Sequence, residues 1–292
     1  MYMNIKPEVT VYIPTFNRVE MLKRAVKSVL DQSFSSFEVI VVDDCSSDGT
    51  IEFLDAIGKI DSRVRYFQNS KNSGACVSRN KAIKEARGKF ITGLDDDDEF
   101  MPHHLEVLVR SFDEKYSFIS VSILEDVGKG RIERSVDCGL ISLDRLLHYN
   151  AVGNQVFTLT SRMRSINGFD ESFPAFQDYD TWIRLVLAYG SGKKIKQATY
   201  IWHTAHEQER ISHNKEKRLL ALDLFLKKNK RYMSKSHFKS VYIMKKKIEN
   251  TEFTILSFLL NVNKFNFRSA VSTFLNIRLP KIAQGLREYK KR

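Results

Sequence analysis

The most chemically informative stretch of the sequence is a run of four consecutive carboxylates, Asp95, Asp96, Asp97 and Asp98, that directly follows the apolar residues 90–94. An apolar run of this length is typical of a buried strand, so the aspartates are expected at a strand end. Four like charges this close repel one another unless a cation lies among them. Carboxylate oxygens suit Mg²⁺ or Mn²⁺, which usually share their coordination shell with substrate phosphates. The run predicts a divalent-metal site with an open face; its alternative is a solvated acidic turn.

The first hundred residues alternate short apolar runs with amphipathic segments. The apolar runs span residues 9–13, 37–42, 64–67 and 90–94, and Pro14 is expected to end the first of them. Such alternation predicts an α/β fold with a mostly parallel sheet and helices on both faces. Ligands of these sheets bind beyond the carboxyl ends of the strands. Thr15, Asp43 and Asp44 fall at those ends, together with the acidic run.

Beyond residue 102 the pattern is less regular. Strands are expected at residues 118–121 and 156–159, followed by a helix whose first turn holds Asp178 and Asp180. Because carboxylates in a first helical turn are favoured by the helix dipole, capping is the alternative to a catalytic role for this pair. The segment after Gly192, which contains His203 and His206, is expected to be a loop that ends near Ser212.

The positive charge of the chain is concentrated in its last quarter. Residues 1–212 hold 27 Lys and Arg and 30 Asp and Glu, a net charge of −3, whereas residues 213–292 hold 20 and 5, a net charge of +15. We therefore expect a catalytic domain at 1–212 and a basic, amphipathic helical appendage at 213–292. Within it, residues 254–277 mix phenylalanine and leucine with sparse Lys and Arg, a pattern that suits attachment to an anionic membrane surface. A helical cap packed on the catalytic domain is the alternative.

The compartment is indicated by what the sequence lacks. Cys45, Cys76 and Cys138 are odd in number and widely spaced, so they suggest neither a disulfide framework nor a zinc site. The N-terminus has no apolar segment of signal-peptide length, and no run approaches the length that spans a bilayer. We expect a cytoplasmic protein, with peripheral attachment to the cytoplasmic face of the inner membrane as a further option.

Six motifs follow one another along residues 8–212. They are Pro14-Thr15-Phe16-Asn17-Arg18; Val41-Val42-Asp43-Asp44 with Ser46, Asp48, Gly49 and Thr50; Asn72-Ser73-Gly74 with Arg79 and Asn80; Leu94-Asp95-Asp96-Asp97-Asp98 with Pro102; Gly168-Phe169-Asp170-Glu171; and Gln177-Asp178-Tyr179-Asp180-Thr181-Trp182-Ile183-Arg184. Each motif alone is weak, but in this order they closely resemble glycosyltransferase family 2. Within that family they look most like bacterial enzymes that build O-antigen or capsule repeat units.

The resemblance implies a GT-A (Rossmann-like) fold, a nucleotide-sugar donor, with UDP as the expected nucleotide, a divalent metal, Mn²⁺ or Mg²⁺, and inversion at the anomeric carbon. It also assigns roles by position. The nucleotide-sugar would be bound by Thr15, Asp43 or Asp44, Arg79, Asp95 and Asp96. The metal would be bound by Asp97, with His206 completing its shell and His203 as the fallback. Asp178 would be the base.

One departure from the family pattern is visible at the base. The usual Glu-Asp pair is Gln177-Asp178 here, which leaves Asp180 as a substitute base. A single carboxylate with in-line attack gives inversion, since it takes the proton of the acceptor hydroxyl while the new bond forms. The acceptor is expected to be a glycan, one carried on a lipid diphosphate at the anionic inner leaflet.

Two other functional classes were weighed against this one. A sugar-nucleotide pyrophosphorylase would share the fold class and metal, but it would carry a glycine- and arginine-rich phosphate loop near the N-terminus, where this chain has Pro14 to Arg18. A non-catalytic protein that binds nucleic acid through residues 213–292 is disfavoured, because the phenylalanines there follow the spacing of helical burial rather than forming a stacking platform. No nucleic-acid partner is expected, and the oligomeric state is left open.

Overall fold

The computed structural model describes residues 6–134, 138–153, 155–204 and 214–289, with side chains up to residue 285. The described residues form two compact units. The first contains those of 1–142, 152–171 and 177–208, and the second those of 143–151, 172–176 and 209–292. The expected domain boundary at residue 212 stays a prediction.

The strands and helices alternate along the first part of the chain, and helices follow one another in the last. The strands are β1 (Val9–Thr15), β2 (Phe37–Asp43), β3 (Val64–Gln68), β4 (Phe90–Gly93), β5 (Glu99–Phe100), β6 (Ile119–Asp126), β7 (Arg131–Arg134), β8 (Gly139–Ile141), β9 (Thr158–Leu159) and β10 (Gly192–His203). The helices are α1 (Val19–Leu30), α2 (Thr50–Ile60), α3 (Ala75–Glu85), α4 (His104–Ser111), α5 (Leu143–His148), α6 (Thr160–Ser165), α7 (Gln177–Tyr189), α8 (Lys215–Asn229), α9 (Lys235–Glu249), α10 (Ile255–Asn261), α11 (Phe267–Arg278) and α12 (Pro280–Tyr289).

The first sheet has the strand order β3-β2-β1-β4-β9, with β1 to β4 parallel and β9 antiparallel at one edge. Every residue of β1 and β2 is buried. Such strands must be covered on both faces, as their continuous Val and Ile content requires. The apolar residues of one face of β1 pack with α1, whose Leu22, Ala25, Val26 and Val29 are buried at helical spacing. The α/β class and the mostly parallel sheet are thus confirmed.

The expectation that Pro14 ends the first strand was wrong, because β1 continues to Thr15. The carbonyl of Tyr12 accepts a hydrogen bond from the Leu94 N–H, on the side of β4. Two residues on, Pro14 faces the same side, where β4 has already ended at Gly93. The missing N–H of the proline therefore costs no ladder hydrogen bond.

The second sheet has the order β5-β10-β6-β7, and β8 pairs with β10. Its long central strand, β10, occupies residues that the sequence analysis expected to form a loop, and that expectation was wrong up to His203. The strand carries three lysines and a glutamine among its first six residues, so its alternation is weak. Its stability comes from parallel pairing with β6, a partner that lies far away in the chain.

The second unit has a small apolar core of its own. Ile243, Phe253 and Ala270 are buried there, and the partly buried Tyr242, Phe258, Val262, Phe274 and Ile277 pack around them. Phe253 lies edge-on to both Phe258 and Phe274, with ring centroids 6.2 and 6.0 Å apart. Among the described residues, no helix combines the length and the hydropathy needed to cross a lipid bilayer.

A cluster of Asp144, His148 and His237 in the second unit brings ligand-type atoms as close together as a metal site does. The Ser234 N–H donates to His237 Nδ1 at 2.9 Å as part of a capping box at the start of α9. A ring nitrogen that accepts leaves the proton on Nε2, which lies 3.0 Å from Asp144 Oδ1 and donates to it. His148 Nδ1 is 2.8 Å from the Ser240 hydroxyl. Hydrogen bonds between α5 and α9 therefore account for this cluster without a metal.

The buried imidazole of His104 generates a prediction about acid stability. His104 stacks on Phe100 with centroids 3.8 Å apart, and its Nδ1 is 2.8 Å from Thr199 Oγ1. Burial lowers the pKa of His104 to about 3. In the unfolded chain the pKa of histidine is about 6.5, so the unfolded state takes up the proton first as the pH falls. The stability that the buried neutral ring contributes above this pH is therefore lost below it.

We expect the free energy of unfolding of the wild type to fall between pH 7 and pH 5 by ~2 kcal/mol more than that of His104→Asn, measured by urea denaturation. Asparagine keeps a polar atom near Thr199 but does not titrate. The neighbouring His103 is exposed, so His103→Asn is the matched control and should keep the wild-type pH dependence. An unchanged pH dependence in His104→Asn would show that the buried ring does not set it.

Candidate active site

The acidic run forms the connection between the two sheets, since β4 ends at Gly93 and β5 begins at Glu99. Asp95, its first carboxylate, accepts hydrogen bonds from Arg79 Nη2 at 3.0 Å and from Gln155 Nε2 at 3.1 Å. The first member of the run is therefore held by a cation from α3 and an amide from the segment before β9. We call residues 94–98 the acidic turn.

The middle of the acidic turn faces the end of β1. Thr15 Oγ1 donates to Asp96 Oδ2 at 2.8 Å, and Arg18 Nη1 donates to Asp96 Oδ1 at 3.1 Å. The same Arg18 nitrogen lies 3.5 Å from Asp97 Oδ2. Arg24, on α1, donates to the main-chain carbonyl of Asp97 at 2.6 Å. Arg18, just before α1, therefore partly neutralises this part of the turn, and Arg24, within α1, fixes its main chain.

Asp98 has a different role, because both of its oxygens accept hydrogen bonds from β10. The Tyr200 hydroxyl donates to Asp98 Oδ2 at 2.7 Å, and the His203 N–H donates to Asp98 Oδ1 at 3.0 Å. The aspartate is 1% exposed. A carboxylate this deeply buried and this fully engaged anchors the turn to the second sheet rather than facing a ligand.

The electrostatics of the acidic turn centre on Asp97. Burial, opposed by Arg18 and reinforced by the charge of Asp97, raises the pKa of Asp96 to about 6. Burial and the charge of Asp97 also raise the pKa of Asp95, and they raise the pKa of Asp98 well above its usual value. A raised carboxyl pKa means that the charged form is disfavoured. Burial is the first cause of each shift and the charge of Asp97 adds to it, so ionising all four carboxylates at once is costly.

Asp43 and Asp44 lie beside this turn at the end of β2. The Asp44 N–H donates to the Thr15 carbonyl at 2.9 Å, which joins the ends of β1 and β2. Asp43 is fully buried and accepts from the Ser46 N–H at 3.1 Å and from Gln68 Nε2 at 3.1 Å. Its carboxylate closes the turn after β2.

The carboxylate of Asp44 organises the start of α3. It accepts hydrogen bonds from the N–H groups of Ser73 and Gly74, at 2.9 and 2.6 Å, and from Asn69 Nδ2 at 2.8 Å. Amides at a helix start are natural anion donors, so this arrangement fixes α3 relative to β2. Asp43 keeps fewer protein donors than Asp44, and of the two it is the better placed to accept a further hydrogen bond.

Helix α3 joins two of the motifs that are far apart in sequence. Asn80 Nδ2 donates to the Phe169 carbonyl at 2.9 Å, and the Phe169 N–H donates back to Asn80 Oδ1 at 2.7 Å. Gly168 has φ +60°, and a Cβ there would collide with the Asn80 amide, so only glycine fits. The pairing places the Phe169 ring under Arg79, with the guanidinium 5.3 Å from the ring centroid.

Tyr12 joins the end of β1 to the amide that contacts Asp95. Its hydroxyl donates to Gln155 Oε1 at 2.9 Å. Burial raises the pKa of Tyr12, and the charges of Asp95 and Asp178 raise it further, while Arg79 opposes them. The influence of both carboxylates on one phenol supports a location of Asp178 near this cluster.

The geometry separates the two candidate bases. Asp178 is half-buried in the first turn of α7. Asp180 is 2% exposed, and its Oδ2 lies 2.7 Å from Arg184 Nε, one turn further along the helix. Arg184 also donates to the carbonyls of residues 166 and 168. Asp180 therefore serves the packing of α7, and the geometry favours Asp178 as the base.

Of the two metal-binding histidines expected from the sequence, His206 lies outside the described residues. His203 lies at the end of β10, where its Nε2 is 2.7 Å from Glu99 Oε1 and its Nδ1 is 3.8 Å from Asp126 Oδ2. The hydrogen bond from Nε2 to Glu99 lowers the pKa of that glutamic acid. Both ring nitrogens thus face carboxylates other than Asp97, which disfavours the fallback.

The acidic turn fits a hard divalent cation. A cation bound at Asp97 would stabilise the charged forms of the neighbouring carboxylates, which burial and the charge of Asp97 disfavour. Asp97 is 8% exposed, and its carboxylate has a single cationic neighbour, at 3.5 Å, among the ion pairs of the described residues. One or two carboxylates suffice when a diphosphate supplies the other ligands. The residues present are therefore compatible with Mg²⁺ or Mn²⁺ at Asp97.

Several residues of this site were not identified from the sequence. They are Tyr12, Arg18, Gln155, Phe169 and Tyr200, and each contacts a carboxylate, an amide or a guanidinium of the cluster. Arg18 lies in the same motif as Thr15, so the sequence could have identified it as a site residue. No sequence signal identifies Gln155 and Tyr200, because their contacts with Asp95 and Asp98 depend on the pairing of strands that are distant in the sequence.

Comparisons with known proteins agree with this architecture. The family described as "Glycosyl transferase family 2" matches residues 10–169. A protein of Escherichia coli (strain K12) named for colanic acid biosynthesis, the glycosyl transferase WcaA, is 37% identical over 223 residues, which cover 74% of this chain and 79% of that protein. A protein of Bacillus subtilis (strain 168) named for teichuronic acid biosynthesis, the glycosyltransferase TuaG, is 32% identical over 234 residues, covering 71% of this chain and 91% of that protein.

A third relative matches a shorter stretch. The GalNAc(5)-diNAcBac-PP-undecaprenol beta-1,3-glucosyltransferase of Campylobacter jejuni is 39% identical over 114 residues, which cover 39% of this chain and 37% of that protein. Its match thus covers about two fifths of each chain.

Solved structures show the same fold at low identity. TarS of S. aureus, residues 1–349 in complex with UDP-GlcNAc, superposes with a TM-score of 0.63 at 20% identity and covers 96% of this chain and 83% of that one. The mannosyltransferase PcManGT from Pyrobaculum calidifontis, in complex with GDP-Man and Mn²⁺, gives a TM-score of 0.60 at 16% identity and covers 99% and 80%. The fold is thus the GT-A fold of glycosyltransferases. With the acidic turn at the carboxyl edge of its parallel strands and a family match over more than half of its length, the chain belongs to glycosyltransferase family 2.

Proposed function

We propose that this enzyme transfers a sugar from a UDP-sugar to a hydroxyl group of a glycan acceptor, with inversion at the anomeric carbon. The observation that carries the proposal is the convergence, at one edge of the parallel sheet, of the acidic turn with Thr15, Arg79 and the neighbourhood of Asp178. Charged groups of both signs meet there at the strand ends, where sheets of this type bind nucleotides.

The nucleotide part of the donor is proposed to bind along the ends of β1, β2 and α3. Thr15 and Asp43 supply hydrogen-bonding groups for the base and ribose, and Asp44 supports them by fixing the start of α3. Arg79 offers positive charge beside Asp95 for the base or phosphates. Asp95 and Asp96 are proposed to face the ribose and the diphosphate from the other side.

A divalent cation, Mn²⁺ or Mg²⁺, is proposed to bind at Asp97 with His206 as a further ligand; when bound, it supplies positive charge against the departing diphosphate. Arg18 adds to the positive charge beside Asp97 from the start of α1. Preorganised charge of this kind lowers the barrier because it need not rearrange as negative charge grows on the leaving oxygen.

The transfer itself needs one base. The acceptor oxygen attacks the anomeric carbon, the bond from that carbon to the diphosphate oxygen breaks, and UDP departs with the electron pair. Asp178 is proposed to accept the hydroxyl proton as the new bond forms. A single displacement inverts the configuration. A retaining double displacement would need a nucleophilic carboxylate closely paired with an acid, by the logic of retaining glycosidases.

The acceptor is proposed to belong to a bacterial surface polysaccharide and to be carried on a lipid diphosphate at the cytoplasmic face of the inner membrane. The names of two relatives, which refer to colanic acid and teichuronic acid, support the polysaccharide, and that of the third refers to an undecaprenol diphosphate. The family match covers Pro14 to Arg18, where a pyrophosphorylase would carry its phosphate loop, and it therefore argues against that alternative. The nucleic-acid alternative concerns residues 213–292, which lie beyond the match.

A donor screen tests the proposal. UDP-glucose, UDP-galactose and their N-acetyl forms are each offered with Mn²⁺ or Mg²⁺, with and without a diphospholipid-linked acceptor, and release of UDP is followed. GDP-mannose is the comparison donor, since a structural neighbour was solved with it. We expect metal-dependent release of UDP that increases with acceptor. Release of GDP from GDP-mannose, without release of UDP from any of the UDP-sugars, would overturn the proposal that the donor nucleotide is UDP.

Asp97→Asn is expected to lower the rate of transfer by a factor of about a hundred or more, because it removes the carboxylate proposed to bind the metal. The melting temperature should stay the same or rise, because the Asp97 charge raises the pKa of three neighbouring carboxyl groups and its loss relieves that repulsion. Both are measured on purified protein. Asp31→Asn, which changes an exposed aspartate at the end of α1, is the control. Undiminished transfer by Asp97→Asn would contradict the proposed metal site.

The two candidate bases are expected to respond in opposite ways. Asp178→Asn should lower kcat by roughly two to four orders of magnitude while UDP still binds, because only the proton acceptor is lost. Asp180→Asn should lower the melting temperature, since it breaks a buried ion pair with Arg184, but it should preserve the activity per folded molecule. Steady-state rates, UDP titrations and thermal melts distinguish the two. The reverse pattern would assign the base to Asp180.

A further inference from the structure

The surface of helix α10 is unusually apolar for a helix at the outside of a protein. Ile255, Leu256, Leu259 and Leu260 are each 59–66% exposed, although α10 has only seven residues. No residue of this helix is buried. Single exposed leucines are common on soluble proteins, but a contiguous group of four large aliphatic side chains marks an interaction surface.

The helix is nevertheless held firmly on its other side. Phe258 packs against Phe253 and Phe274 in the core of the second unit, with ring centroids 6.2 and 5.4 Å away. The four exposed residues have the spacing i, i+1, i+4 and i+5, which places them together on the opposite face. Thr254 caps the helix by accepting a hydrogen bond from the Ser257 N–H at 3.1 Å. The apolar face is thus displayed by an ordered helix.

The face continues into the start of α11. Asn266 Nδ2 donates to the Asn261 carbonyl at 2.9 Å, and the Asn263 N–H donates to Asn266 Oδ1 at 2.8 Å. These hydrogen bonds fold the connection into a tight turn that brings the beginning of α11 next to the end of α10. Phe267, the first residue of α11, is 56% exposed there. We call Ile255, Leu256, Leu259, Leu260 and Phe267 the α10 face.

The charges that follow the α10 face in the chain are positive. Lys264 and Arg268 are exposed in and just after the same turn, and Lys281 is exposed at the start of α12. Residues 253–286 contain no aspartate or glutamate, and Glu252, which precedes them, lies 3.3 Å from Arg278. An aliphatic face with a net positive surrounding sequence is complementary to a surface that is apolar below and anionic above.

We propose that the α10 face binds the surface of an anionic lipid membrane, with its aliphatic side chains at the boundary between headgroups and acyl chains and its lysine and arginine side chains on lipid phosphates. A second copy of the chain is a poorer partner, because a self-association through this face would bring the cations Lys264, Arg268 and Lys281 of both copies together, while the nearby acidic residue Glu252 is already paired with Arg278. Nucleic acid is poorer still, since aliphatic side chains give it no stacking surface.

The sequence pattern alone had pointed to the aromatic residues of 254–277, and the structure divides that set. Phe258 and Phe274 belong to the internal core, whereas leucine and isoleucine side chains and Phe267 face outwards. The proposal concerns the second unit only. It does not depend on the donor, the metal or the base of the transfer reaction.

Flotation of the full-length protein with vesicles tests the proposal. Vesicles of phosphatidylcholine mixed with phosphatidylglycerol are compared with vesicles of phosphatidylcholine alone. We expect the wild type to float with the anionic vesicles, and Leu256→Ser/Leu260→Ser to lose at least tenfold in partitioning, because each buried leucine contributes more than a factor of ten to such an equilibrium. The matched control is Ile60→Ser/Leu220→Ser, which changes two exposed aliphatic residues elsewhere and should float like the wild type.

Two further measurements make the result decisive. Lys264→Gln/Arg268→Gln should weaken flotation with anionic vesicles and reduce its salt dependence. The release of UDP from a UDP-sugar, measured without vesicles, should be unchanged in every variant, so failure of this proposal and failure of the transferase proposal are distinguishable. Equal flotation by wild type and Leu256→Ser/Leu260→Ser would overturn the proposal. So would a dimer, seen by light scattering without vesicles, that the same double variant dissociates.

Discussion

The first unit depends on the requirement that buried carboxylates be given donors. Asp96 and Asp98 are 6% and 1% exposed, and burial without hydrogen bonds would cost far more than the few kcal/mol that separate a folded domain from an unfolded one. The donors come from three directions: from the end of β1 and the start of α1, from α3, and from β10. The acidic turn therefore joins the two sheets, because its charges can be satisfied only where all three meet.

The same requirement explains why the turn is incompletely neutralised. Asp98 accepts hydrogen bonds from two neutral donors, the Tyr200 hydroxyl and the His203 N–H. Asp95 accepts one from the Arg79 guanidinium and one from the neutral amide of Gln155. Among the ion pairs of the described residues, Arg18 is the cation that approaches both Asp96 and Asp97. Further arginines would stabilise the acidic turn without a ligand, but they would occupy the space in which a cation bound to a diphosphate is proposed to lie. The raised carboxyl pKa values, caused first by burial and then by the charge of Asp97, are a perturbation of the kind that clusters at functional sites.

Local pattern was sufficient to predict β1 to β4, since short runs rich in β-branched and aromatic residues and bounded by polar turns are typical of buried strands. It was insufficient for β10, where lysines hide the alternation and pairing with β6 decides the structure. The site divides in the same way. The carboxylates are adjacent in sequence and were found, but their partners are not: Thr15 lies 81 residues from Asp96, Gln155 lies 60 residues from Asp95, and Tyr200 lies 102 residues from Asp98. No local signal encodes contacts that only topology creates.

The composition of helix α10 does not predict which of its faces is buried. Six of its seven residues are Ile, Leu, Phe or Ser, so its sequence does not reveal which face is inside. The structure resolves the ambiguity because Phe258 is the residue that reaches the aromatic core, and this fixes the aliphatic residues outside. Leaving them in water forgoes the burial free energy that stabilises the rest of the unit. A unit with so small a core gains from an external apolar surface that would bury this face, and the net positive charge of residues 253–286 favours an anionic one.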